Sequence, residues 1–158
     1  FDRFSVAPEK LRLILQQSVL PQLMNDVVAK NLRDLAALGT PIEVSGFGNG
    51  PTSIANLRHT GASRLRIHRS FVAHVDQDPE QQRLVAAIVS MADSMKLDTL
   101  AEGVQTIAEH AMLAQLGCKY VQGRAICPPI PQSEIKASVE RHRSKLKATP
   151  ILTQKRRG

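Results

Sequence analysis

The amino-acid sequence predicts an α/β fold built on a parallel sheet. Short apolar runs of strand length alternate with longer amphipathic stretches of helix length, and the connections between them are short. Small or polar residues close each apolar run, which is typical of parallel strands whose carboxyl ends meet at one face. The pattern predicts five strands and about four helices, and it leaves open whether the sheet is open or closed into a barrel.

Each predicted strand is an apolar run that ends at polar or small residues. In chain order, the runs are Leu13–Leu15, Pro41–Val44, Arg64–Ile67, Asp98–Ala101 and Lys119–Gln122. The residues at their ends, which we expect to converge on one face, are Gln16 and Gln17, Ser45 and Gly46, His68, Glu102, and Gln122. Glu43 alternates with Ser45 and so faces the same side of the sheet, where we expect it to form an ion pair with a cation such as Arg66.

The predicted helices are marked by apolar stripes and by capping residues. The stripes are Met24, Val28, Leu32 and Leu35 within residues 22–38, and Leu84, Ile88, Met91 and Met95 in the helix that follows Asp78. Asp78 precedes a proline and caps that helix, while Thr106 and Glu109 form the pattern of a capping box. Gly39 and Gly117 predict helix ends. Two further helices are predicted, at residues 52–59 and 133–143.

The chain is basic and has the composition of a folded domain. Its 158 residues include 21 Lys and Arg against 14 Asp and Glu, with 42% hydrophobic and 3% aromatic residues. That length suits one domain, and no apolar run approaches the roughly 18–20 residues that a membrane span needs. Scarce aromatic residues argue against a surface for single-stranded nucleic acid, so we expect no specific nucleic-acid partner. Cys118 and Cys127 form no disulfide framework and indicate a reducing, cytoplasmic setting.

Four sequence motifs occur near the predicted strand ends in a specific order. They are Leu38-Gly39 with Phe47-Gly48-Asn49-Gly50, then Arg66 to Val72 (RIHRSFV), then Ala101 to Thr106 (AEGVQT), then Leu116-Gly117-Cys118 with Val121-Gln122-Gly123 and Pro129-Ile130-Pro131. With these motifs the chain resembles, over about residues 11–140, the C-terminal part of an EAL domain, the (β/α)8-barrel phosphodiesterase of bacterial cyclic di-GMP signalling. The resemblance implies a TIM-type barrel of which the chain covers roughly the C-terminal five strands and their helices.

The length of the chain bears on that barrel. A complete (β/α)8 barrel takes about 250 residues, so we expect this chain, which opens on Phe1, to be part of a longer protein. We expect residues 1–143 to form the partial EAL-like barrel. Residues 144–158, which hold much of the excess positive charge, are expected to form a basic tail without fixed structure.

Several residues depart from the family's motifs at positions where the family binds two divalent cations. A metal-binding glutamate of the family is Gln17 here, and its adjacent aspartates are Ser45 and Gly46. The family's lysine is Arg66, and the aspartate two residues later is His68. Because Mg²⁺ and Mn²⁺ prefer carboxylate oxygens, we expect neither a metal nor another cofactor at these degenerate positions.

The residues that remain as candidates for ligand binding are Arg66, Glu102, Gln122, Gly123 and Arg124. Glu102 is the only retained candidate for catalysis, and a simpler interpretation is that it pairs with Arg66 or His68. As the resemblance implies, Gln122 and Gly123 contact a guanine or a phosphate; alternatively, they only allow the chain to turn. The loop glycines, which either cradle a phosphate or form a tight turn, are Gly46, Gly48 and Gly50.

The resemblance and the missing carboxylates together predict a degenerate, catalytically inactive EAL domain. We expect a cyclic di-GMP sensor or a protein-interaction module, joined to a protein partner or to other domains of a signalling protein, and able to dimerise. Two divalent cations would bring four positive charges to a pocket where Glu102 is the remaining carboxylate and Arg66 adds a cation, which is costly at low dielectric. The alternative is an active cyclic di-GMP phosphodiesterase with rearranged ligands for Mg²⁺ or Mn²⁺.

Overall fold

The structure, a computed structural model, describes residues 5–19, 26–47, 57 and 60–148, with side chains described up to residue 144. Several sequence predictions fall outside these residues. They are Met24 of the first stripe, the loop glycines Gly48 and Gly50, the helix at 52–59 apart from Leu57, and the tail beyond residue 148.

Five parallel strands form one sheet in the described part of the chain. They are β1 (Leu13–Gln16), β2 (Ile42–Phe47), β3 (Arg64–Ile67), β4 (Asp98–Glu102) and β5 (Tyr120–Gln122). Each strand pairs in parallel with the next, so the spatial order is also the chain order. A doubly wound sheet reverses at a switch point, whereas a barrel adds its strands in one direction. The predicted parallel α/β fold is therefore confirmed, and the strand order is that of a sector of a TIM-type barrel.

The predicted caps are confirmed for α3 and α4, and the predicted helix-ending glycines for α1 and α4. Those with described bounds are α1 (Asp26–Ala37), α2 (Arg69–Val72), α3 (Pro79–Ser94), α4 (Ile107–Gln115) and α5 (Ile135–Ala148). Asp78 Oδ1 accepts two backbone N–H groups of the first turn of α3, at 2.8 and 3.3 Å. Thr106 and Glu109 form the reciprocal capping box of α4. Gly39 and Gly117 follow α1 and α4 with positive φ, as helix-ending glycines do.

The predicted stripes are confirmed in part, since Leu32 is buried and Ile88, Met91 and Met95 pack partly buried against the core. The residues that α1 and α3 bury are Ala29, Leu32, Val85, Val89 and Ala92. Val28 and Leu84, which the stripes place in the core, are exposed. For Leu84 the prediction is wrong because α3 contributes to two core clusters at once, so its buried face is wider than one stripe and includes the small residue Ala92.

Strand β2 is longer than predicted and contains a β-bulge. Its pairing with β3 shifts register between Val44 and Phe47, where β2 has one extra residue. Gly46 lies in this bulge with φ +79°, a left-handed conformation that favours glycine. The assignment of Gly46 and Phe47 to a loop is wrong, because Phe47 is buried and pairs with Ile67 on β3.

The chain divides into two compact units, one up to Ile126 and the other from Cys127. In the second unit, a 3₁₀ turn over Gln132–Glu134 leads into α5. The predicted end of this helix at residue 143 is too early, because no Gly or Pro interrupts the sequence before Pro150. Among the helices of the described residues, none has the length and apolar character needed to cross a membrane.

Candidate functional site

One face of the sheet carries its charged and polar side chains. Strand alternation and the pairing register place on this face Gln16, Glu43, Ser45, Arg64, Arg66, Asp98, Glu102, Tyr120 and Gln122. The opposite face supplies apolar residues to the two core clusters that the helices cover. In a barrel the face turned away from the helices is the interior, so this polar face is the inside of the barrel sector.

Arg66 on β3 is the centre of the polar face. Its Nη1 donates to Glu43 Oε2 at 2.7 Å, and its Nη2 donates to Gln122 Oε1 at 2.5 Å. Its Nε donates to Glu102 Oε1. One guanidinium therefore links four neighbouring strands, and three of its five N–H donors are engaged by protein side chains. The predicted pairing of Arg66 with Glu43 and with Glu102 is confirmed.

Glu43 is fully buried and receives three guanidinium groups. Besides the bond from Arg66, its Oε1 accepts from Arg12 Nη1 at 2.8 Å and from Arg64 Nη1 at 2.6 Å. Burial by itself would raise the pKa of Glu43, but the hydrogen bonds from Arg66 and Arg12 and the charge of Arg64 outweigh burial, so the pKa lies below its ordinary value. Glu43 is thus a buried anion that three cations stabilise.

The charge of Arg66 is stabilised in the same way. Burial would lower the pKa of Arg66, but the hydrogen bonds to Glu43 and Glu102 outweigh burial and raise the pKa above its ordinary value. Arg66 is therefore a permanent cation on the polar face. It cannot lose a proton to act as a base, and its planar donors suit carboxylate or phosphate oxygens.

No carboxylate stands at Gln17, Ser45 or Gly46, the positions where the resemblance implies metal ligands. Gln17 is buried, and its Oε1 has no hydrogen-bond partner among the described residues, so it presents one neutral oxygen. Ser45 Oγ donates to a main-chain carbonyl oxygen of β1 at 3.4 Å, and Gly46 has no side chain. Glu102, the retained carboxylate, is engaged by an arginine. These residues do not fit a pair of Mg²⁺ or Mn²⁺ ions, which prefer several charged oxygen ligands.

The structure also locates other side chains that can bind metal ions. Over residues 5–19, 26–47, 57 and 60–148, no three His, Cys, Asp or Glu side chains form a group that could hold a metal ion. The Nδ1 of His68 lies 2.9 Å from Ser70 Oγ and accepts the Ser70 backbone N–H. His68 therefore caps α2 and is not a partner of Glu102.

The remaining ligand-binding candidates lie around the end of β5. Gln122 and Arg124 are exposed, and Gln122 is bound to Arg66 through its carbonyl oxygen, which leaves its amide N–H groups as donors. Gly123 has a structural reason to be glycine, because a Cβ there would lie 2.1 Å from the carbonyl oxygen of Val104. The backbone of Val104 bonds to both sides of this turn. The structure thus brings Arg66, Glu102 and Gln122 into contact, while Gly123 forms the turn.

Sequence reasoning missed Arg12 and Arg64 as partners of Glu43. Arg64 stands two residues before Arg66 in the same strand, so alternation alone could have placed it on the polar face. Its guanidinium also stacks over the ring of Tyr120, 3.8 Å from the ring centroid. Arg12 meets Glu43 only because β1 pairs with β2, and no local signal in the sequence gives that register.

Glu109 is a further buried carboxylate, and it binds backbone groups outside α4 that its capping pattern did not predict. Its Oε1 accepts the His74 backbone N–H at 3.0 Å, and its Oε2 accepts that of Gln105 at 2.7 Å. The two residues lie in the connections that follow β3 and β4. Glu109 therefore fixes the relative position of two segments beside the polar site, in addition to capping α4.

The fold and the site define a class of protein: a (β/α)8-barrel protein whose interior polar site, centred on Arg66, includes Glu102 and Gln122 at the carboxyl ends of β4 and β5. Within that class, the family model described as EAL domain matches residues 2–129. The chain belongs to the EAL domain family.

Curated relatives of the chain are longer signalling proteins. One is the bifunctional diguanylate cyclase/cyclic di-GMP phosphodiesterase MucR of Pseudomonas aeruginosa, 34% identical over 139 residues, which are 87% of this chain and 20% of MucR. Another is the signaling protein YkoW of Bacillus subtilis, 29% identical over 84% of this chain and 16% of YkoW. The chain therefore spans a fifth or less of either relative, and it is related to cyclic di-GMP phosphodiesterases.

Solved structures show the same fold. The PaMucR phosphodiesterase in a c-di-GMP complex superimposes with a TM-score of 0.74 at 33% identity, over 84% of this chain and 53% of that chain. The EAL domain of Mycobacterium smegmatis DcpA gives a TM-score of 0.81 at 27% identity, over 89% of this chain and 63% of that chain. The chain thus corresponds to part of the barrel in each of these structures.

Proposed function

We propose that the chain is a non-hydrolytic EAL-type domain that binds cyclic di-GMP as a sensor within a bacterial signalling protein. The observation that carries the proposal is the engagement of Glu102 and Glu43 by Arg66. Both carboxylates are neutralised by a protein cation, and the neighbouring positions Gln17, Ser45 and Gly46 add no further negative charge. Two-metal hydrolysis needs ligands that hold both ions near the scissile phosphate, and this donor set does not supply them.

Binding of a phosphodiester without hydrolysis needs hydrogen-bond donors but no metal ligands. A phosphodiester needs charge-assisted donors, and two N–H groups of Arg66 are not engaged by any side chain among the described residues. Gln122, which contacts Arg66, and Arg124, two residues further along the chain, are exposed and can add donors for a phosphate or a nucleobase edge. The MucR name and the c-di-GMP complex of PaMucR make cyclic di-GMP the first ligand to test. The two free thiols, Cys118 and Cys127, are consistent with work in a reducing, cytoplasmic compartment.

Titration calorimetry of the full chain with cyclic di-GMP, in EDTA and then in Mg²⁺ or Mn²⁺, tests the proposal. We expect the same binding in both buffers, and chromatography of the mixture should show no linear dinucleotide. Metal-dependent formation of the linear dinucleotide would replace the proposal with the alternative of an active phosphodiesterase with rearranged ligands. No binding at high micromolar ligand would instead favour a protein-interaction module, and a dimer would then be sought by light scattering.

A further inference from the structure

The two carboxylates that hold Arg66 differ in burial and in the number of their partners. Glu43 is 0% exposed and is bound by Arg12 and Arg64 as well as by Arg66. The Glu102 side chain is 26% exposed, and Arg66 is its ion-pair partner among the described residues. Glu43 is therefore a fixed part of the interior, whereas Glu102 lies on the solvent-accessible side of the Arg66 guanidinium.

We propose that Glu102 is an internal competitor for the ligand, whose carboxylate occupies the Nε–H of Arg66 until a phosphodiester oxygen takes its place. The inference rests on the proposed binding of cyclic di-GMP and names the contact that sets its affinity. Binding is then an exchange of anions on Arg66: the carboxylate of Glu102 leaves for water, and a phosphate oxygen accepts the Nε–H in its stead.

Burial decides which carboxylate is exchanged. Displacing Glu43 would leave a charged group in the protein interior and three guanidinium groups without their common partner, which is strongly unfavourable. Displacing Glu102 returns a partly exposed carboxylate to solvent, where water satisfies its oxygens. The ion pair with Glu43 persists throughout, so Arg66 stays anchored to β2 while its outer edge changes partner.

Gln122 fits the same exchange. Its carbonyl oxygen accepts from Arg66 Nη2, and its amide group, on an exposed side chain, can donate to an arriving phosphate. The ligand therefore meets a guanidinium edge flanked by a neutral amide on one side and by a negative carboxylate on the other. Of the two carboxylates that the described residues place on Arg66, Glu102 is the exposed one that opposes the arrival of a phosphate, so it sets the affinity of the site.

The variant that tests the exchange is Glu102→Gln, which keeps the length of the side chain and removes its charge. A neutral amide competes poorly for the Nε–H, and it no longer repels a phosphate. We expect Glu102→Gln to bind cyclic di-GMP about tenfold more tightly than the unchanged chain. Glu80→Gln makes the same change of net charge on the exposed first turn of α3 and should leave the affinity unaltered.

Titration calorimetry of the full chain and the variants in EDTA gives the readout, with thermal melts to show that each variant folds. If Glu102→Gln does not fold, Glu102→Asp retracts the carboxylate by one methylene group and should also bind more tightly than the unchanged chain. Equal or weaker binding by the Glu102 variant, beside measurable binding by the unchanged chain, overturns the exchange and leaves the proposed function standing. Absence of binding in every protein overturns both. Tighter binding by Glu80→Gln as well would assign the effect to net charge and also overturn the exchange.

Discussion

The Nη1 of Arg66 lies 2.7 Å from Oε2 of Glu43, and this ion pair joins β3 to β2 inside the barrel sector. The same Glu43 carboxylate binds Arg64, also on β3, and Arg12, the residue before β1, so three cations surround one buried anion. A protein guanidinium thus supplies positive charge at the centre of the polar face. The stability predictions below follow from these ion pairs and from the close contacts around them.

Replacing Glu43 should destabilise the domain strongly. Glu43→Gln leaves three guanidinium groups on the polar face without their anion, and removal of one partner of a buried ion pair costs about 3–5 kcal/mol. Urea unfolding should show this loss in the free energy of unfolding. The control is Asp34→Asn, which breaks the exposed Lys30–Asp34 pair on α1 and should cost no more than about 0.5 kcal/mol. Equal losses in the two variants would show that Glu43 is not a special anion.

The stability of the domain should depend on pH in the acidic range because of Glu43. Its pKa is lowered in the folded state from the ordinary value of 4.5, so the unfolded chain binds more protons between the two values. Stability from this carboxylate is therefore complete above pH 4.5 and is lost as the pH falls through the lower, folded-state pKa. Unfolding measured from pH 6 downward should show a flatter acid decline in Glu43→Gln than in the unchanged chain. Parallel pH profiles would contradict this assignment.

Gly123→Ala should be far more harmful than Gly46→Ala. A Cβ at Gly123 would meet the Val104 carbonyl oxygen at 2.1 Å, so the turn after β5 must move. At Gly46 the nearest side-chain atoms, from Gln16 and Gln17, are 3.8 Å away, and the cost comes from φ +79° alone. We expect about 1 kcal/mol for Gly46→Ala and at least about 3 kcal/mol for Gly123→Ala, compared by thermal unfolding. The reverse order would show that the turn after β5 is not as close to Val104 as described.

Replacing Glu109 should loosen two connections at once. Its carboxylate accepts backbone N–H groups from His74, Gln105 and Thr106, so Glu109→Ala leaves three donors without their acceptor. We expect a loss of about 2–3 kcal/mol and faster amide hydrogen exchange at His74 and Gln105. Asp78→Ala removes a cap at the start of α3 and serves as a comparison, with an expected loss of about 1 kcal/mol. Unchanged exchange at His74 would contradict the proposed tether.

Much of the fold could be predicted from local patterns, because capping residues and glycines mark the ends of several helices. Asp78, Thr106 with Glu109, and Gly117 give caps and helix ends that the structure confirms. The spacing of large apolar residues predicted the buried helix faces less accurately than the capping residues predicted the helix ends. Leu84 is exposed, while the small Ala92 is buried. Which side of a helix meets the sheet depends on two core clusters together, and no single stripe contains that information.

The site was predictable where alternation along a strand sufficed. The side of Glu43 follows from its position relative to Ser45, and its pairing with Arg66 is confirmed. The bulge at Gly46 and the arrival of Arg12 were not predictable, because both depend on the register between neighbouring strands. The roles of Arg66, Glu102, Gln122, Gly123 and Arg124 toward a ligand remain predictions.

The measurement that tests the central claim most directly is a titration of the full chain with Mn²⁺, followed by electron paramagnetic resonance of the free ion. If Arg66 supplies the charge of the site and Gln17, Ser45 and Gly46 provide no carboxylate, the free Mn²⁺ signal should track the added metal into the millimolar range, with or without cyclic di-GMP. Loss of one or two equivalents of signal per chain at micromolar Mn²⁺ would contradict the account.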